Sequence, residues 1–111
     1  MANLARQPRN REVPFHKCMH SHFAPGVVRN PETDMPFSES SAWEFMANLL
    51  ESDHPFTEMT LDEPRGLTAL TTLVEIGEGL QKQKVYIKIH PFKGKVCCRS
   101  FHLDLGVENV G

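Results

Sequence analysis

The stretch Lys84-Val85-Tyr86-Ile87-Lys88-Ile89-His90, then Pro91-Phe92-Lys93-Gly94-Lys95, then Val96-Cys97-Cys98-Arg99-Ser100-Phe101-His102-Leu103 decides the fold. Val85, Ile87 and Ile89 alternate with Lys84, Tyr86, Lys88 and His90. That period of two turns one face of a strand to a core and the other to water. The Pro-Phe-Lys-Gly-Lys segment is a tight connection, so residues 84–90 and 96–103 read as an antiparallel hairpin. The returning strand is less clear. Depending on register it adds either Cys98, Ser100 and His102 or Cys97, Arg99 and Phe101 to the polar face of the hairpin. Residues 67–76, bounded by Pro64-Arg65-Gly66 and Gly77-Glu78-Gly79, read as a further strand. Thr71, Thr72, Val74 and Ile76 are β-branched and suit a pleated sheet.

Upstream lies one clear helix, over residues 40–51. Ala42, Phe45, Met46, Leu49 and Leu50 recur at helical spacing, with Trp43 beside them and Glu44, Asn48 and Glu51 on the wet side. Ser38, Ser40 and Ser41 offer N-caps, and Ser41-Ala42-Trp43-Glu44 fits a capping box. Asp53-His54-Pro55 stops the helix, because a proline pushes its predecessor out of helical geometry. Residues 1–37 contain Pro8, Pro14, Pro25, Pro31 and Pro36 and little periodicity. They read as an irregular N-terminal arm, ordered by docking on the rest. The expected fold is therefore α+β. Residues 38–111 form one main helix packed on a small antiparallel sheet ending in a C-terminal β-hairpin, in a single domain overall.

A chain of 111 residues with 40% hydrophobic and 23% charged residues suits one modest core. No apolar run approaches the roughly 20 residues needed to span a bilayer, so no membrane partner is expected. The segment Met1-Ala2-Asn3-Leu4-Ala5-Arg6 leads into polar residues with no apolar h-region, so no secretory signal is expected. The odd count of 3 cysteines, two of them adjacent, does not read as a disulfide framework and points to a reducing cytoplasm.

The net charge of −2 hides an uneven distribution. Residues 1–30 carry Arg6, Arg9, Arg11, Lys17 and Arg29 against Glu12, and residues 31–78 carry eleven acids against Arg65. Between Gly79 and Leu103 there are Lys82, Lys84, Lys88, Lys93, Lys95 and Arg99 and no acid. A basic face suits a polyanion. Lysine-rich strands also protect exposed sheet edges from aggregation, and charge alone leaves both readings open.

The polar face of the hairpin holds the sharpest constellation. Metal-free RNA cleavage needs a base for the 2′-hydroxyl, cations for the phosphorane and an acid for the leaving oxygen. His90, His102 and Tyr86 can exchange protons, while Lys88 and Arg99 can hold phosphate. Lys84, His90, Lys93 and Lys95 are candidate RNA contacts. A solvated strand face is the plain alternative. His16-Lys17-Cys18-Met19-His20-Ser21-His22 offers soft metal ligands, but its spacing matches no structural zinc pattern, and no metal or cofactor is expected. Cys97-Cys98 has neither a nucleophile elbow nor an oxyanion motif beside it, and small buried strand residues are the simpler reading.

The order of these motifs resembles a family. Glu51-Ser52-Asp53-His54-Pro55-Phe56-Thr57-Glu58-Met59-Thr60, Val85-Tyr86-Ile87-Lys88-Ile89 and Arg99-Ser100-Phe101-His102 follow the helix in the order seen in the motility quorum-sensing regulator (MqsR) toxins. These are messenger-RNA interferases of bacterial toxin–antitoxin pairs, and the likeness runs over about residues 42–102. The resemblance implies a RelE-like α+β architecture, no metal requirement, RNA as substrate and an antitoxin protein as partner. Carried over residue by residue, it makes Tyr86 the functional tyrosine and puts His102 where the family has a terminal lysine. Thr57 stands where the family has its first functional lysine, and the glutamine of its preceding strand has no counterpart in residues 67–76. The function expected is RNA binding, with metal-independent endoribonuclease activity centred on Tyr86, Lys88, Arg99 and His102. The competing expectation is a non-catalytic module, such as a small phage or mobile-element inhibitor, that binds a regulatory protein through its acidic central segment.

Overall fold

The computed structural model describes residues 1–12, 22–61 and 66–104. Helix α1 (Ala2–Arg6) is followed by four two-residue strands: β1 (Arg11–Glu12), β2 (His22–Phe23), β3 (Arg29–Asn30) and β4 (Met35–Pro36). Helix α2 (Glu39–Glu51) comes next, then strands β5 (Thr57–Thr60), β6 (Thr68–Ile76), β7 (Gln83–Phe92) and β8 (Lys95–Leu103). The last four strands form an antiparallel meander, β5-β6-β7-β8, and β3 and β4 form a separate two-stranded ribbon. The fold is α+β, with one main helix on a sheet that ends in the C-terminal hairpin. No helix among the described residues is long and apolar enough to cross a membrane.

The sheet departs from expectation in three ways. It is mixed, because β1 and β2 both pair with β8 in parallel (Arg11 beside Val96, His22 beside Ser100). Strand β5, which sequence periodicity did not reveal, pairs antiparallel with β6 from Thr57↔Thr71 to Thr60↔Thr68. The described part of the N-terminal arm, residues 1–12 and 22–37, includes regular elements, α1 and β1 to β4. Ala5 of α1 and Val28 are fully buried in the core. Gln83 ties β3 to β7 with two hydrogen bonds: its side-chain oxygen accepts from the Arg29 N–H and its amide donates to the Arg29 carbonyl, both 2.9 Å.

Helix α2 begins one turn earlier in its capping scheme than the sequence suggested. The Ser38 hydroxyl accepts from the Ser41 N–H at 3.0 Å, and the Ser41 hydroxyl accepts from the Ser38 N–H at 2.9 Å. This reciprocal pair satisfies two donors that the helix itself leaves orphaned. Glu44, the acid of the expected capping box, lies instead near Arg6 and Arg11. Asp53, in the left-handed region at φ 61°, turns the chain away after the helix.

The core lies between α2 and one face of the sheet. Ala42, Trp43, Met46 and Ala47 of the helix meet Val85, Ile87 and Ile89 of β7 and Val96, Cys98 and Phe101 of β8. Phe101, fully buried, stands edge-on to Phe37 at 5.5 Å and to Phe45 at 6.3 Å, the arrangement aromatic quadrupoles favour. The β7–β8 turn places Lys93 at φ 52° and Gly94 at φ 79°. Two positive φ values in a two-residue loop are the type I′ geometry that matches strand twist.

Two basic residues of the arm are drawn into this packing. Arg6 reaches Glu51 at 3.0 Å and Asn48 at 2.7 Å. Arg11 donates to the Ala5 carbonyl, sits 5.9 Å over the Trp43 ring and lies 3.6 Å from Glu44. The charge of these two is spent on α2, so Arg6 and Arg11 do not add to the basic face of the hairpin.

Candidate functional site

Cross-strand pairing fixes which side chains share the sheet face opposite α2. The core face takes Leu70, Val74, Val85, Ile87, Ile89, Cys98 and Phe101 by register. Alternation then puts Leu73, Tyr86 and His102 in one row on the other face, with Thr71, Lys88 and Ser100 in the next. Tyr86 and His102 are direct partners, with ring centroids 5.6 Å apart and planes tilted by 46°. Both are half-buried.

A β-bulge resolves the ambiguity of the returning strand, in favour of neither simple register. Lys88 pairs with Ser100 while the next residue, Ile89, pairs with Cys98, so Arg99 is the inserted residue. Cys97, Ser100 and His102 therefore share a face, and Cys98 and Phe101 turn to the core. A bulge is set by the pairing of two strands and leaves little trace in the pattern of one.

Arg99 is positioned by that bulge. Its Nε–H donates to His90 Nε2 at 3.0 Å, and His90 Nδ1–H donates to the Pro91 carbonyl at 3.1 Å. This geometry requires a neutral imidazole. Burial of the ring pushes the His90 pKa below its ordinary value, and nearby Arg99 adds to the effect. At 1% exposure, His90 is not the solvent-facing RNA contact expected from alternation. It orients Arg99 instead.

Cys97 is His90's cross-strand partner, and its thiol points to a Glu12 carboxylate oxygen at 3.8 Å. Burial, reinforced by Glu12, pushes the Cys97 thiol up to about 11, and burial also raises Cys98. Neither is a thiolate nucleophile at neutral pH. Glu12 was missed by sequence reasoning. Nothing local marks it, since only the parallel pairing of β1 with β8 brings it here.

His102 Nδ1–H donates to the Leu103 carbonyl at 2.9 Å, which makes Nε2 the basic nitrogen of the neutral ring. Burial raises the Tyr86 phenol above its ordinary pKa, so it keeps its proton across the neutral range. Lys88 is half-buried, whereas Lys84, Lys93 and Lys95 are exposed. Lys84 lies on the same face opposite Glu75, and Lys93 and Lys95 sit at the hairpin tip. Leu73, 47% exposed beside Tyr86, is a second residue that sequence reasoning missed. In the run Thr71-Thr72-Leu73-Val74, periodicity does not say which apolar residue faces outward.

Away from the hairpin, an open hollow of about 470 Å³ is lined by Arg6, Gln7, Pro8 and Arg9. Two more, of about 370 and 480 Å³, lie against α2 with Glu32 and Glu44 and beside Asp34 and Glu78. Their carboxylates suit a polyanion poorly. The His16, Cys18 and His20 tract lies outside the described residues. Among the described residues no group of three or more His, Cys, Asp or Glu is placed to hold a metal.

The chain matches no family model, no curated protein and no solved structure.

Proposed function

We propose that the face opposite α2 binds RNA and cleaves it without a metal, with Tyr86 and His102 at the centre and Lys88 and Arg99 as the phosphate-holding cations. The observation that carries this reading is the cross-strand pair: a phenol and an imidazole whose Nδ1–H is held by the Leu103 carbonyl, ring centroids 5.6 Å apart, with Lys88 in the next row of the same face. His102 Nε2 takes the proton of a ribose 2′-hydroxyl. The 2′-oxygen bonds to phosphorus, the bond to the 5′-oxygen breaks, and that oxygen takes the proton of Tyr86. An alkoxide is far more basic than a phenolate, so the transfer to it is downhill even with the phenol pKa raised. Lys88 and Arg99 offset the negative charge that develops on the phosphorane. The products are a 2′,3′-cyclic phosphate and a 5′-hydroxyl, and solvent returns the proton from His102 to Tyr86. In this reading Lys84, Lys93 and Lys95 steer the strand. A bacterial toxin whose partner is an antitoxin is the biological role that the likeness to the MqsR family suggests.

The test uses purified protein and a single-stranded RNA oligonucleotide in excess EDTA. Cleavage is expected to stop when the scissile nucleotide lacks its 2′-hydroxyl. His102→Ala is expected to lower the rate about 10²- to 10⁴-fold, the usual worth of a positioned general base, and Tyr86→Phe to slow it as well. Affinity is expected to fall with salt, each lysine removed from the face lessening the log–log slope by about 0.7. In cells, expression of the parent is expected to arrest growth and His102→Ala to relieve the arrest. Absence of RNA binding at low salt, or equal growth of parent and variant, refutes the reading.

A further inference from the structure

The two margins of the main sheet are treated differently. On one side β8 receives β1 and β2 in parallel. On the other, β5 is the last strand among the described residues, and all four of its residues are exposed. Exposed edges present a row of backbone donors and acceptors to any passing strand, and proteins usually blunt them with lysine, proline or a bulge. Thr57-Glu58-Met59-Thr60 has no lysine and no proline, and its pairing with β6 runs without a register break. Met59, 40% exposed, adds an apolar contact beside Ala69 on the face opposite α2. Glu58, opposite Leu70, points to the other face.

Among the described residues the charge flanking this edge in sequence is of one sign. From Ser52 to Leu61 the chain carries Asp53 and Glu58, both exposed, and no Lys or Arg. Two copies joined edge to edge through β5 would bring their Glu58 side chains onto the same face of the new pairing, and like charges opposed across a strand pair destabilise it. A basic segment gains where a second copy loses.

We infer that the β5 edge is a docking site for an extended basic segment of another protein, which adds to the sheet as a further strand. Main-chain hydrogen bonds to β5 give the affinity, and the alternation of side chains gives the specificity. Residues of the incoming strand on the Met59 side are apolar, and those on the Glu58 side are lysine or arginine. The site is the sheet's margin: its Met59 side borders the face proposed to bind RNA and its Glu58 side does not, and strand addition stands or falls without the RNA reading.

The probe is a peptide alternating lysine and valine, added to the full chain in the absence of RNA. Its controls are the same peptide with alternate backbone amides N-methylated on one edge and a peptide with glutamate in place of lysine. Fluorescence anisotropy reads affinity, and hydrogen exchange reads the amides of residues 57–60. Binding is expected for the lysine peptide only, with slowed exchange in β5, and Glu58→Lys is expected to weaken it about tenfold or more. Glu58 is exposed, so this variant keeps the fold, and circular dichroism checks that it does. Equal binding of the N-methylated peptide overturns strand addition, and equal binding of the glutamate peptide overturns the charge argument. No binding of the lysine peptide, or self-association of the protein through a protected β5, overturns the proposal outright.

Discussion

His90 gives a direct test of how the hairpin is held. Its ring is buried and neutral, accepting from Arg99 Nε–H and donating to the Pro91 carbonyl. In the unfolded chain the same histidine titrates near ~6.5. Because burial lowers its folded-state pKa, the unfolded chain binds a proton that the folded chain refuses, and stability rises with pH in that window. The contribution is fully present above the unfolded pKa and is lost as pH falls towards the folded one. The slope for one proton is about 1.4 kcal/mol per pH unit, a sizeable share of the roughly 5–15 kcal/mol that holds a domain together. Glu12 opposes the loss by favouring the charged ring, while Arg99 and Lys88 disfavour the charged ring and add to the loss. Protonation also removes the acceptor for Arg99, so two cations then face each other. The perturbation is acidification from pH 8 to pH 5, applied to the parent and to His90→Gln, whose amide can serve both partners but does not titrate. Urea unfolding at each pH gives the stability difference. The variant is expected to be less stable by about 1 kcal/mol at pH 8, with the gap closing as pH falls. Parallel pH curves for the two proteins would refute the assignment of a buried neutral His90.

Two backbone predictions follow from positive φ values. Gly77 sits at φ 88°, and a Cβ there would meet the Gln81 carbonyl oxygen at 2.6 Å. Gly77→Ala is therefore expected to cost more than the ~1–2 kcal/mol of left-handed strain alone, read as a lowered urea midpoint. Lys93 occupies the first position of the type I′ turn at φ 52°, where asparagine is better suited. Lys93→Asn is expected to raise stability by about 0.5–1 kcal/mol while weakening RNA binding, and a fall in both would show that the lysine is structural.

What was legible in the sequence is what short-range chemistry specifies. The apolar spacing of Ala42, Met46 and Leu49 made α2 visible, since residues three and four apart share a helix face whatever lies beyond it. The alternation in residues 84–90 made β7 visible and put Tyr86 and Lys88 on one side, because strand period two is a property of the backbone itself. The placement of His102 beside Tyr86 was one of two registers left open, and it needed the partner strand to choose. The same alternation misled at His90. Periodicity gives the face a side chain takes but not what covers that face.

Only the tertiary structure decided the rest. The bulge at Arg99 exists because β8 meets β7 with one residue in excess, and that mismatch aims the guanidinium at His90. Glu12 reaches Cys97 because β1 adds in parallel to a strand far along the chain. Arg6 and Arg11 lose their role in a basic patch because α2 offers Glu44 and Glu51 first. Strand β5 becomes an edge only by standing last in the sheet. In each case the deciding partner is distant in sequence. Local propensity therefore carries no record of it, and only the burial and hydrogen bonding of the assembled chain make the choice.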